Sequence, residues 1–163
     1  MQRASITAEE MAIEKIKDLK SRIEPGQRVL GVDLGRKTIG LAVSDTKLVV
    51  ASPLTVIRRS RFVKDMKELT KIIKNEFVGG LIIGLPIDLN GNEGARCQST
   101  RQFAFNFLQI TNLPISFWDE RFSTAAVERI LVSEVDMSRA RRAQVIDKMA
   151  AAFILQGALD SIN

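Results

Sequence analysis

Apolar residues recur along this chain with two different periods, and the points where the period changes divide it into elements. Arg28, Leu30, Val32 and Leu34 alternate with Val29, Gly31 and Asp33, and Ile39, Leu41 and Val43 repeat the alternation beyond Gly35-Arg36-Lys37-Thr38. A period of two predicts a pair of strands joined by a tight turn. Residues 48–51 and 54–57 predict one antiparallel strand broken near Pro53. Residues 78–85 (VGGLIIGL) are apolar almost without interruption, as in a parallel strand covered on both faces. Residues 114–118 predict a fifth strand ending on Asp119-Glu120-Arg121.

Helical spacing fills the intervals. Thr7 and Glu10 have the separation of a capping box, and Met11, Ile13, Ile16 and Leu19 follow at helical spacing until Pro25-Gly26. Ser60 is placed to cap a helix running to about 75, with Phe62, Met66, Leu69 and Ile73 on one stripe. A helix over 96–109 carries Phe103 and Phe107, and Ser123 or Thr124 is placed to cap another near 125–132. A last helix covers about 139–161, and its MAAAFILQGAL segment is apolar almost all round, as a buried helix is. Three antiparallel strands followed by strands alternating with helices predict an α/β fold, a mixed five-stranded sheet flanked by helices on both faces. Residues 25–163 are expected to form one domain, with residues 1–24 a helical extension packed on it.

Composition narrows the chemistry. The 163 residues are 45% hydrophobic and 26% charged, the balance of a globular domain that folds without staples. No apolar run reaches the roughly 18–20 residues of a membrane span and no signal peptide opens the chain. Together with a single cysteine, Cys97, this predicts a cytoplasmic protein with no membrane partner. Histidine and tyrosine are both absent. That excludes Ser-His-Asp and Cys-His catalysis and the usual histidine zinc site. What remains is carboxylate chemistry with a hard divalent cation such as Mg²⁺ or Mn²⁺. A net charge of +5 favours an anionic partner, nucleic acid first.

Asp33 is the natural place to begin, because it is a carboxylate inside a predicted strand with Gly31, Gly35 and Gly40 around it. Buried, it must be protonated, paired or metal-bound; the same stretch also reads as an ordinary hairpin with a turn-stabilising acid. Asp119 and Glu120 end the fifth strand, on the side where open α/β sheets bind ligands, or else form a salt-bridged strand terminus. Asp147 lies one turn before Ala150 and Ala151 on the apolar helix, or else reaches solvent beside Lys148. Two carboxylates about 5 Å apart repel by roughly 3 kcal/mol at an effective dielectric of about 20. Three such pairs cost on the order of 10 kcal/mol, the stability of a whole domain. Convergence of Asp33, Glu120 and Asp147 therefore implies a metal. Lys37, Arg121, Arg139, Arg141 and Arg142, with Arg36, Arg58, Arg59 and Arg61, are candidates to hold a phosphate backbone, or else form a solvated charged face.

Four segments, GVDLGRKTIGLAVSD, LIIGLPIDLNGNEGARCQSTRQFAFNF, FWDERFSTAAVERIL and RRAQVIDKMAAAFILQGALD, together resemble the YqgF/RuvX family. Its members are RNase H-like proteins described as Holliday-junction-resolvase-like and as nucleases for the precursor of small-subunit ribosomal RNA. The resemblance spans roughly residues 28–160 and implies an RNase H-like fold, with Asp33, Glu120 and Asp147 matching the family's proposed metal-binding acids. In one respect the chain departs from RuvC-type resolvases. They carry an acid at the end of the fourth strand, where this chain has Gly84-Leu85-Pro86, so their metal geometry does not transfer.

The expectation is a metal-dependent phosphodiester endonuclease on structured RNA, maturing the ends of pre-16S ribosomal RNA, with ribosomal precursor particles as partners. Two readings stand beside it: a resolvase of branched DNA, and an RNA-binding ribosome-assembly or transcription factor without turnover. The expected oligomeric state is a monomer or weak homodimer.

Overall fold

The described residues form, in chain order, α1 (Ile16–Arg22), β1 (Arg28–Leu34), β2 (Thr38–Ser44), β3 (Ala51–Arg58), α2 (Phe62–Asn75), β4 (Val78–Leu85), α3 (Ala95–Leu108), β5 (Ile115–Asp119) and α4 (Arg139–Ile162). They come from a computed structural model that describes Ile13, residues 15–121 and residues 138–163. The expected capping box at Thr7 and Glu10, and the helix near 125–132 with its caps at Ser123 or Thr124, lie outside the described residues.

The strands form one mixed sheet in the order β3-β2-β1-β4-β5. β1 is antiparallel to β2, and β2 to β3; β1 and β4, and β4 and β5, are parallel. The expected α/β architecture is the one observed. Side-chain alternation then sorts residues between two layers. Leu30, Val32, Ile39, Leu41, Leu81 and Ile83 form one core with Leu69, Phe103 and Phe107 of α2 and α3. Val29, Ala42 and Ile82 form the other with Leu19 of α1 and Ala151, Ile154 and Leu155 of α4. All eight residues of β4 are buried, as a central parallel strand requires.

Three local expectations are corrected. Residues 48–50 are not strand, although Val49 and Val50 have high β-propensity. The Asp45 carboxylate accepts hydrogen bonds from the Val49 and Val50 amides (2.8 and 3.0 Å), and Leu48 adopts φ 58°, so side-chain capping of a turn overrides propensity. The strand beyond it runs unbroken through Pro53, whose partner register shifts beside Ala42; an edge strand tolerates the missing donor. Ser60 does not cap α2. Arg61 holds the cap position, and the buried Asp65 carboxylate instead accepts from the Ser60 amide and hydroxyl. Ile13, expected in a helix, makes a parallel bridge to Ile115 on the otherwise open edge of β5.

Candidate active site

Alternation along the strands places the acids before any side chain is considered. Gly31 faces Leu155 and Ala151 of α4, and Gly84 faces Ile154. Asp33 shares the parity of Gly31, and Glu120 that of Trp118, which packs with the α4 layer. Both acids therefore lie on the face that α4 covers, and α4 brings Asp147.

Glycines set how close they come. Asp33 is paired with Gly40 across the β1–β2 ladder, and a Cβ at Gly40 would overlap the backbone carbonyl of Asp147. On the other flank, Val32 pairs with Ile83, one residue before Gly84, where a Cβ would overlap the Glu120 carboxylate. The two positions beside Asp33 thus lack side chains because the other acids occupy that space. This is a close approach that only glycine permits.

The electrostatics follow from this crowding. Burial, then the charge of Asp147, pushes Asp33 up to about 6, against a smaller opposing pull from Arg96. Burial, then the charge of Asp33, pushes Glu120 up to about 7, again opposed by Arg96. Thr38 donates a hydrogen bond to Asp147 Oδ2 (2.7 Å) and so fixes one of its oxygens. Among the described residues, Glu120 Oε2 is buried without a hydrogen-bond partner, an acceptor open to a ligand. Asp33 thus lies within electrostatic reach of both other acids, yet among the described residues no three acidic, cysteine or histidine side chains are drawn in as tightly as a metal's ligand set. The donor set is all carboxylate oxygen with one orphaned atom, which fits a hard divalent cation.

Of the expected phosphate-binding residues, Arg121 shares a cleft with Glu120, whereas Lys37 lies on the β1–β2 turn and Arg139, Arg141 and Arg142 at the start of α4. Lys37 sits in the exposed β1–β2 turn. Arg121 follows Glu120 and is bound to Asp119 through Nε (2.7 Å), so the Asp119-Glu120-Arg121 segment is in part the salt-bridged terminus that its sequence also allowed, while Glu120 turns into the α4 face. Arg139, Arg141 and Arg142 are exposed on the first turn of α4, whose N-terminus Ser138 caps by accepting from the Arg141 amide (3.3 Å).

Residues 27–161 match the family model described as RuvX, Holliday junction resolvase. The chain belongs to the RuvX family. A Phenylobacterium zucineum relative bearing the name "Putative pre-16S rRNA nuclease" is 54% identical over 94% of this chain and 99% of its own. A Rhodospirillum rubrum relative of the same name is 50% identical over 94% of this chain and 95% of its own. Among solved structures, a Fowlpox virus resolvase bound to Holliday junction DNA superposes with a TM-score of 0.51, at 10% identity, over 83% of this chain and 99% of its own, a likeness of fold.

The RuvX match takes in all three acids and also a residue that sequence reading left without a role. Arg96 opens α3, and its charge bears on both Asp33 and Glu120. It lines one cleft with Glu120 and Arg121 and a second with Arg36 and Arg59. The signal was its place just after a loop rich in Gly and Asn, but only the sheet brings the start of α3 beside the end of β1.

Proposed function

We propose that the protein is a divalent-metal-dependent endonuclease that cleaves phosphodiester bonds in structured nucleic acid, acting on the ends of pre-16S ribosomal RNA within precursor particles. The observation that carries this reading is the placement of Asp33, Glu120 and Asp147 on one face of the sheet, Asp33 within electrostatic reach of the other two, with Glu120 Oε2 buried and without a partner among the described residues. Asp33, Glu120 and Asp147 would hold Mg²⁺ or Mn²⁺, which when bound would supply an activated water and neutralise charge on the phosphodiester oxygens. Thr38 orients the Asp147 carboxylate, and burial keeps Glu120 out of competition with solvent. Arg96, beside both acids, and Lys37, Arg121, Arg139, Arg141 and Arg142 around them would hold the phosphates of the strand. The single buried Cys97 suits a reducing compartment, and we place the protein in the cytoplasm as a monomer or weak homodimer. Among the described residues no helix is long and apolar enough to cross a membrane.

Side-by-side cleavage of a pre-16S fragment and a four-way DNA junction, in Mn²⁺ at matched salt, tests the reading. The RNA is expected to be cut, and Asp33→Asn to cut it at least about 10³-fold more slowly, since electrostatic and metal catalysis is worth several kcal/mol. Equal rates for wild type and Asp33→Asn would refute the catalytic assignment. Preferential cutting of the junction would support the second reading, which the family's description as a Holliday junction resolvase favours.

A further inference from the structure

Beyond the acids the surface continues as a connected series of clefts along α3. The cleft holding Glu120 and Arg96 adjoins one of about 330 Å³ lined by Arg36, Arg59, Arg96 and Ser99. That cleft in turn shares Arg59 and Ser99 with one of about 570 Å³ lined by Phe62, Gln98 and Gln102. Along this path the chemistry changes from acid to cation to aromatic and amide. Arg59 is held in place by donating to the Gly35 carbonyl (2.7 Å). Phe62 meets Phe103 at 81° with ring centroids 6.2 Å apart, yet the residue remains 40% exposed. Gln98, Gln102 and Asn106 recur every fourth residue on the exposed side of α3, and Gln102 donates to Asn106 (2.8 Å).

Resting on the nuclease reading above, we propose that this groove binds unpaired nucleotides flanking the scissile phosphate, so that the substrate is a single-stranded segment next to the cut. Charge complementarity names the occupant: arginines Arg36, Arg59 and Arg96 follow a phosphate backbone. A steadied aromatic ring beside side-chain amides offers one surface to a base face and another to base edges. Within a duplex both faces of each base are already stacked, so Phe62 gains nothing along its length. From Arg96 to Asn106 α3 rises about 15 Å at 1.5 Å per residue, room for about four nucleotides stacked at roughly 3.4 Å.

The test is equilibrium binding to the full chain with Ca²⁺ replacing Mg²⁺, using three labelled probes. These are a blunt RNA duplex, the same duplex with a short unpaired tail, and that tailed duplex with the tail's bases removed. The tailed probe is expected to bind roughly tenfold tighter than the other two. Phe62→Ala should erase that preference and Phe62→Trp should keep it, with thermal unfolding run on each variant. Equal wild-type affinity for all three probes would overturn the proposal and leave the Phe62 surface to a protein partner. So would a tail preference that survives in Phe62→Ala, or a loss in that variant that falls equally on the blunt duplex. Because binding is read without turnover, failure of the nuclease reading appears in the cleavage assay of Asp33→Asn and failure of the groove appears here.

Discussion

Under α2 and α3 the sheet is covered by Leu69, Phe103 and Phe107 lying among Leu30, Val32 and Ile83, whereas α4 sets Ala151, Ile154 and Leu155 on Gly31, Ala42 and Gly84. The first face is large side chains against large side chains. It keeps its helices at a distance and tolerates exchange of one shape for another. On the second, helix backbone meets strand backbone. The Asp147 carbonyl sits where a Gly40 side chain would be, and the Ala151 carbonyl lies 3.0 Å from a Cβ at Gly31. The acids belong to the second face, because that spacing brings the helix-borne carboxylate of Asp147 within electrostatic reach of Asp33 in its strand. The first face supplies support and, along the outer side of α3, a surface for the strand to follow.

The comparison breaks most visibly at Gly40. Gly40→Val forces a branched side chain into the Asp147 backbone and is expected to cost more than about 3 kcal/mol in urea unfolding, in the range of severe overpacking. Met66→Leu, a volume-conserving exchange on the other face, should cost less than about 1.5 kcal/mol. Equal costs would show that the α4 face is no tighter than its counterpart.

A second expectation concerns pH. Asp33 and Glu120 are pushed up to about 6 and about 7 in the fold, while unfolded carboxyls titrate near 4. Between those limits the folded chain binds more protons, so stability is present at the acid end and falls as pH rises through the window. Metal-free protein is expected to lose about 2–4 kcal/mol between pH 5 and pH 8, the two groups titrating as a coupled pair. Asp33→Asn should flatten the slope and make the metal-free protein more stable at pH 8, while slowing cleavage as proposed above. A slope unchanged in that variant, measured by thermal unfolding across pH, would remove Asp33 from the account.

Thr38→Val gives the smallest effect. It deletes the donor to Asp147 Oδ2 and should slow cleavage about tenfold, the worth of one hydrogen bond to a charged group. Unfolding should shift by no more than about 1 kcal/mol, because Thr38 sits at the partly exposed start of β2.

The two faces also differ in how much of them could be read from residues alone. Asp33 stood out because a charge between alternating apolar residues conflicts with burial, and Gly31, Gly35 and Gly40 left room around it; that Gly84 does the same appeared only in the fold. The all-apolar run at 78–85 and the apolar helix at 149–159 fixed which elements were central. Arg96 was not legible from residues alone: the Gly- and Asn-rich loop before it names no partner, and it comes beside the acids only because β1 and β4 are neighbours and α3 starts beside their ends. Ser60 misled for a related reason. A serine before a helix is usually its cap, but here Asp65 turns back to bind it, and one side chain's choice of partner is not a pattern. The strand propensity of residues 48–50 lost to two hydrogen bonds from Asp45. Residue 13 gave no sign that an open strand edge would claim it.

Anomalous scattering from a crystal soaked in Mn²⁺ shows whether the three acids share a cation. A metal peak is expected, bounded by carboxylate oxygens of residues 33, 120 and 147, one of them Glu120 Oε2. A fully soaked crystal with no peak there, or a peak that leaves Glu120 Oε2 still unpartnered, would contradict a cation shared by these acids.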